Sequence, residues 1–163
     1  EEKVRAVGRS GSGVRGISFD DEANDEVIGM ITIENPKEET VLVVSENGYG
    51  KRTFIDDPET GEAVYRITNR GGKGVKTISV TEKTGNLVAI KSVLEEDDLM
   101  IINKSGMAIR LPVSDLRVMG RATQGVRLIN IKGNDSIAAV AKVMKEDEEF
   151  SEGEDTEEPS INE

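Results

Sequence analysis

The chain contains no cysteine, no histidine and no tryptophan, and each absence narrows its possible functions. Without cysteine it forms no disulfide and offers no thiolate to a metal, which fits a reducing compartment. Without histidine it lacks the usual general base and the commonest metal ligand. Aromatic residues make up only 3% of the sequence. Stacking on the bases of a single-stranded nucleic acid is therefore a disfavoured function.

Long apolar runs are also missing, because no segment approaches the roughly 18 apolar residues of a membrane-spanning helix. No signal peptide is visible. The first residue falls within a repeat, so we expect the sequence to be a piece of a longer chain.

The formal charge of -11 is unevenly spread along the chain. Residues 145–163 contain ten acidic side chains and one base, which leaves 22 acids and 20 bases in residues 1–144. The body is thus nearly neutral. We predict a folded domain over 1–144 and a disordered acidic tail over 145–163. A sharper interpretation of the tail is a tethered polyanion that competes with an anionic partner for the basic side chains of the body.

A basic, glycine-rich turn followed by an apolar segment occurs three times, and the chain is organised around it. We call residues 8–17, 69–78 and 120–129 the three basic turns. Each has an arginine four residues before an anchoring glycine, then Val, then a cation two residues after the glycine. The glycines at 13, 74 and 125 are 61 and 51 residues apart. Spacing of this size indicates a repeat architecture.

The segments between the turns are short and rich in β-branched residues, which predicts strands rather than helices. Asn47-Gly48 is typical of a tight hairpin turn. We predict two complete repeats of four strands each and about half of a third, over roughly 4–60, 61–115 and 116–144. Strands are expected at 14–19, 27–33, 41–44 and 49–54, then at 74–80, 87–90 and 99–102 with a return strand through Arg110, and finally at 126–131 and 137–140. Four short strands per repeat are typical of a propeller-like blade.

The repeated cations are the candidate binding residues. Equivalent positions of successive blades should lie in a row along an outer rim, where arginine and lysine can bind a phosphate backbone. The alternative is that they are solvated side chains on exposed turns. The candidates are Arg9, Arg15, Lys51, Arg52, Arg70, Lys73, Lys76, Arg110, Arg121 and Arg127.

Other patterns carry less weight. The Gly71–Gly74 stretch faintly suggests a nucleotide loop, but it lacks the Walker spacing and no helix follows. The acidic pairs Asp56-Asp57 and Asp97-Asp98 are typical of solvated loops, since no histidine accompanies them. We predict no catalytic residue and no metal site.

Three segments together resemble a known family. Asn47-Gly48-Tyr49-Gly50-Lys51-Arg52-Thr53, Gly120–Val126 and the turn from Arg70 to Gly74 are similar to the C-terminal domain of the DNA gyrase A subunit. The family's diagnostic box reads Gln-Arg-Arg-Gly-Gly-Lys-Gly. Residues 68–74 depart from it at the first two places, so we infer that the intact box lies upstream.

This resemblance implies a β-pinwheel, a propeller variant whose blades exchange strands and whose rim wraps duplex DNA. It also implies that the parent enzyme introduces negative supercoils with ATP and Mg²⁺ bound elsewhere, so this segment would need no cofactor. The implied partners are duplex DNA, the A-subunit core and the B subunit. The implied location is the bacterial cytoplasm, in association with the nucleoid.

Several alternatives stay open at this stage. The chain could belong to the related topoisomerase IV A subunit, or it could be a protein-binding propeller with no role in nucleic-acid binding. An enzyme in its own right is the weakest alternative, since histidine, cysteine and a carboxylate pocket are missing.

Overall fold

The computed structural model describes residues 4–19 and 25–144, and the predicted acidic tail lies outside them. The described residues form seven β-strands and one short 3-10 turn, with no α-helix among them. The predicted all-β class is confirmed. The elements are β1 (Thr40–Ser45), β2 (Tyr49–Phe54), β3 (Leu87–Val93), β4 (Asp98–Asn103), β5 (Ala108–Pro112), the 3-10 turn (Val113–Asp115), β6 (Val126–Arg127) and β7 (Ile137–Val143).

Each sheet contains one antiparallel hairpin, β1–β2 in the first and β4–β5 in the second. The first hairpin turns through Asn47-Gly48, as predicted. Gly48 has a φ of 78°, and its N–H donates to the Ser45 carbonyl at 3.0 Å. Gly106 makes the corresponding turn of the second hairpin with a φ of 87°. Glycine suits both places because side chains disfavour positive φ.

Each hairpin receives a strand from the repeat that follows it. β3, in the second repeat, pairs with β1, and β7, in the third, pairs with β4. Both pairings shift register at the same place, between Val44 and Ser45 and between Ile102 and Asn103. The sheets have the orders β3-β1-β2-β6 and β5-β4-β7. Strand exchange between repeats is the arrangement that the resemblance implied.

Some predicted strands are wrong. Residues 14–19, 27–33 and 74–80 carry no strand, and the strand predicted over 126–131 is limited to Val126–Arg127. Segment 27–33 aligns with β3 and β7, which each pair with the hairpin of the preceding repeat. No hairpin precedes it among the described residues, so Met30 is 90% exposed. The last two strands do not pair with each other, because β6 pairs with β2 and β7 pairs with β4.

Both faces of β1 are buried, which explains its unbroken apolar sequence. Leu42 and Val44 pack in a core with Leu99, Ile101 and further residues of the second sheet, so this core joins the two sheets. Val41 and Val43 lie in a smaller core with Ile55 and Ile78. Alternate side chains of a strand point to opposite faces, so one strand contributes to both cores.

Candidate nucleic-acid interface

The three basic turns are neighbours in space, and the same contact joins each to the next. The Ser18 N–H donates to the Gly72 carbonyl at 3.0 Å, and the Ser79 N–H donates to the Thr123 carbonyl at 3.0 Å. Ser79 is 61 residues after Ser18, and Thr123 is 51 after Gly72, which are the spacings of the anchoring glycines. The repeat therefore arranges its turns in a row.

Further bonds strengthen both junctions. Between the first and second turns, the Gly71 N–H donates to the Gly16 carbonyl at 2.7 Å, and the Ser18 hydroxyl donates to the Gly71 carbonyl at 2.6 Å. Between the second and third, the Gln124 amide donates to the Thr81 hydroxyl at 2.9 Å. These bonds hold the backbone of the row in place, so its side chains project from a fixed support.

Most of the predicted cations in this row lie at the surface. Arg9, Arg15, Arg70, Lys73, Lys76 and Arg127 are exposed. The Lys76 ammonium donates to the Ser79 hydroxyl at 3.3 Å. Within residues 4–19 and 25–144, neither Arg9, Arg15 nor Lys73 forms an ion pair with a carboxylate. These three charges are therefore available to an anion.

Two cations of the third turn rest against tyrosines. The Arg121 guanidinium lies 5.8 Å from the centre of the Tyr65 ring. Arg127 lies 5.4 Å from the centre of the Tyr49 ring and donates to its hydroxyl at 2.9 Å. Such contacts fix the orientation of a guanidinium without neutralising it.

Lys51 and Arg52 are not at the rim, which corrects the prediction for both. Their relative exposures are 0% and 5%. The Lys51 ammonium donates to the carbonyls of Gly120 and Arg121, the latter at 2.8 Å. The Arg52 guanidinium donates to the Leu116 carbonyl at 2.6 Å and pairs with Glu95 through two further bonds. Both side chains are buried because residues 116–121 pack over β2.

Burial changes the acidity of Lys51. Desolvation, with a smaller contribution from the Arg121 charge, lowers the pKa of the Lys51 ammonium from 10.5 to about 8. A neutral amine still has two N–H donors for its two carbonyl partners. Lys51 is therefore a structural tie between the first hairpin and the third basic turn.

Arg110 has an intermediate position. Its side chain is 52% exposed and donates from Nε to the Asp98 carboxylate at 2.7 Å. A phosphate contact by Arg110 would compete with this pair.

The third turn reaches β2 only because glycines meet there. A β-carbon on Gly125 would lie 2.6 Å from the Gly50 carbonyl oxygen, and the φ of Gly125 is 81°. One on Gly50 would lie 2.6 Å from Leu128. The glycine in Tyr49-Gly50-Lys51 is thus explained by the docking of a later repeat.

The described residues contain neither a cluster of potential metal ligands nor a membrane-spanning helix. No group of three or more acidic side chains there could hold a metal ion. No helix in that part of the chain is long and apolar enough to cross a membrane.

Comparison with known proteins agrees with this geometry. The family described as DNA gyrase C-terminal domain, beta-propeller, matches residues 1–34, 39–57, 60–93 and 97–144. These ranges cover most of the chain. The chain belongs to the DNA gyrase C-terminal domain family. The resemblance of the sequence to this family is thereby confirmed.

Relatives of this gyrase-family domain include the DNA gyrase A subunit of Staphylococcus aureus (strain MRSA252), 45% identical over 154 residues, 94% of the chain. The DNA gyrase A subunit of Staphylococcus epidermidis (strain ATCC 12228 / FDA PCI 1200) is 45% identical over 148 residues, 91% of the chain. The chain spans 16% of the length of either relative.

Solved structures show the same architecture. The DNA gyrase A C-terminal domain matches with a TM-score of 0.65 at 26% identity, over 88% of this chain and 45% of that one. The C-terminal domain of DNA topoisomerase IV matches with a TM-score of 0.71 at 19% identity, over 88% of this chain and 42% of that one. At that identity the second likeness concerns the fold alone.

Another phased set of cations in this gyrase-family domain escaped the sequence analysis. Arg5, Arg66 and Arg117 each stand four residues before the first arginine of a basic turn, and all three are exposed. Aligning the repeats on Arg9, Arg70 and Arg121 and reading four residues upstream would have found them. Within the part of the chain that the structure describes, none of the three forms an ion pair.

Proposed function

We propose that the chain binds duplex DNA along the row of basic turns and bends it around the edge of the sheets. The observation that carries this proposal is the repeated Ser-to-turn hydrogen bond, which aligns three cation-bearing turns. Phosphate contacts of this kind give affinity with little sequence preference. Membership of the gyrase C-terminal domain family and the gyrase A names of its relatives support the same conclusion.

In this proposal the chain is a non-catalytic part of a type IIA topoisomerase. The A-subunit core and the B subunit would be its partners in the bacterial cytoplasm, where the enzyme acts on the nucleoid. ATP and Mg²⁺ would be bound by those other parts of the enzyme. Wrapping by this domain would direct strand passage toward negative supercoiling.

The first experiment measures duplex affinity as a function of salt. With about six phosphates neutralised, affinity should fall roughly a thousandfold between 50 and 200 mM salt. Arg9→Gln combined with Lys73→Gln should weaken binding and reduce the slope. Lys37→Gln combined with Lys104→Gln changes two exposed lysines outside the basic turns and is the matched control. The proposal is contradicted if the affinity does not depend on salt. It is also contradicted if the two double variants weaken binding equally.

The second experiment tests bending separately from binding. A nicked circular DNA is closed by ligase with and without the chain, and the linking numbers of the products are compared after the protein is removed. Wrapping predicts a shift in linking number that grows with protein concentration. Tight binding without such a shift would retain the duplex contact and reject the wrapping.

A further inference from the structure

Three repeats meet at the Tyr49 side chain and form a small cleft beside the third basic turn. Tyr49 comes from the first hairpin, Lys83 from the loop before β3, and Arg127 from β6. With Asn130 and Asp135 they line a cleft of about 290 Å³. The cleft contains two cations and one carboxylate, so it has an excess of positive charge.

The two cations converge on one ring. The Lys83 ammonium and the Arg127 guanidinium each lie 5.4 Å from the centre of the Tyr49 ring. Like charges drawn to one place repel each other, and an anion between them would relieve this repulsion. The hydrogen bond from Arg127 and the charges of Arg127 and Lys83 lower the pKa of the Tyr49 hydroxyl.

The carboxylate of the cleft has other partners. Asp135 accepts bonds from the Ser105 hydroxyl at 2.8 Å, the Ser105 N–H at 3.2 Å and the Ser136 N–H at 2.8 Å. Among the described residues it forms no ion pair with Lys83 or Arg127. Asp135 therefore neutralises neither cation, and both can bind an anionic ligand.

The cleft is supported by rigid contacts. Arg127 lies directly opposite Tyr49 in the β2–β6 pair. The Lys83 loop is tied to the first hairpin, because the Asn47 amide donates to the carbonyls of Glu82 and Lys83, both at 3.3 Å. The Asn47 N–H also donates to the Thr84 carbonyl at 3.1 Å. A site held in this way loses little conformational entropy on binding.

We propose that this cleft binds one phosphate group, with the Lys83 ammonium, the Arg127 guanidinium and the Tyr49 hydroxyl as its donors. The Tyr49 oxygen accepts from Arg127, so its own proton remains for the ligand. The phosphate can come from the backbone of a duplex on the row of basic turns, a source that rests on the proposed function. It can also be a free phosphate, which does not depend on it.

The free phosphate is tested by tyrosine fluorescence. The chain has no tryptophan and only two tyrosines, so Tyr65→Phe leaves Tyr49 as the reporter. Titration with inorganic phosphate should give a saturable change that potassium chloride at equal ionic strength does not give. Lys83→Gln and Arg127→Gln should weaken phosphate binding at least tenfold, whereas Lys37→Gln should leave it unchanged. Thermal melting of each variant checks that the fold is kept.

The duplex arm uses the salt dependence of DNA binding. Lys83→Gln should lower the slope of log affinity against log salt by about one and weaken binding several-fold. If the phosphate response needs Lys83 but the slope does not change, the cleft is supported with free phosphate as its occupant. If Lys83→Gln changes neither the phosphate response nor the salt slope while the unmodified chain still binds duplex, the cleft is rejected and the proposed function stands. If the unmodified chain binds no duplex, the proposed function fails and the phosphate titration alone decides on the cleft.

Discussion

The two sheets place the same repeat positions in different surroundings. Lys51 and Arg52 in β2 align with Ile109 and Arg110 in β5, at an offset of 58 residues. Residues 116–121 pack over β2 beside Arg52, whereas no described strand pairs with the outer edge of β5. The side chain of Arg52 is consequently 6% exposed and that of Arg110 is 52% exposed.

The two arginine ion pairs differ in which partner is buried. In the first sheet the arginine is buried and its partner Glu95 is 64% exposed, whereas in the second the partner Asp98 is only 10% exposed. A cation at a repeated position can therefore be an interior tie in one blade and a surface group in the next. Which of these it becomes depends on whether a later repeat docks against its strand.

The largest expected effect comes from blocking that docking. Gly125→Ala places a β-carbon 2.6 Å from the Gly50 carbonyl at a φ of 81°. The clash and the backbone strain together should lower the unfolding free energy by about 4 kcal/mol. Chemical denaturation followed by far-ultraviolet circular dichroism measures the change.

Gly13→Ala is the matched control, because Gly13 has a φ of 75° but no atom within 4 Å of a β-carbon there. It should cost about 1 kcal/mol, the strain alone. Equal losses in the two variants would show that the third turn does not depend on this close approach.

The second effect concerns Lys51, which has no ionisable counterpart in the second sheet. The pKa of the Lys51 ammonium is about 8 in the folded chain, and the reference value of 10.5 applies to the unfolded chain. Between these pH values the unfolded chain holds a proton that the folded chain has lost, so stability should rise as pH increases. The gain from pH 8 to 10.5 should be at most about 2.5 kcal/mol.

Lys51→Met isolates this contribution, since the other titrating groups are shared. As the pH rises from 8 to 10.5, the unfolding free energy of the original chain should increase relative to that of the variant. A difference that stays constant with pH would mean that Lys51 remains fully charged in its buried position.

The third effect compares the two arginines directly. Arg52 donates three hydrogen bonds, and Arg110 donates one. Arg52→Met should cost about 2 kcal/mol because it leaves the buried Leu116 carbonyl without this donor. Arg110→Met should cost about 1 kcal/mol. If Arg110→Met were the more damaging change, the ranking of the two surroundings would be wrong.

The sequence was sufficient for the hairpins because their signals are local. Asn47-Gly48 determines one turn, and the apolar residues of β1 and β4 match their burial. The strand failures have a different cause. Segment 27–33 has the composition of β3 and β7, but a strand also needs a partner, and pairing is set by distant residues.

The candidate site divides in the same way. The period of the basic turns indicated that Arg9, Arg70 and Arg121 belong together, and the repeated Ser-to-turn bond shows that their turns are neighbours. Sequence could not show that Lys51 and Arg52 are interior, because the layer that covers them lies about 65–70 residues later in the chain. The cleft at Tyr49 was beyond prediction for the same reason, since three repeats supply its side chains.

The smallest expected effect on stability, and a test of where the binding surface ends, comes from Arg66 and Arg117. Both are exposed and stand upstream of a basic turn, so replacing either by Gln should change the unfolding free energy by less than about 0.5 kcal/mol. If the proposed DNA path runs past these positions, each variant should weaken duplex binding about threefold to tenfold and lower the salt slope by about one. Lys104→Gln, an exposed change in the turn of the second hairpin, should do neither.

Because Arg66 precedes the second basic turn and Arg117 the third, equal losses of duplex affinity from the two variants would place the duplex across both repeats. A loss from Arg117→Gln alone would confine it to the third turn, and no loss from either would exclude this set of arginines from the path.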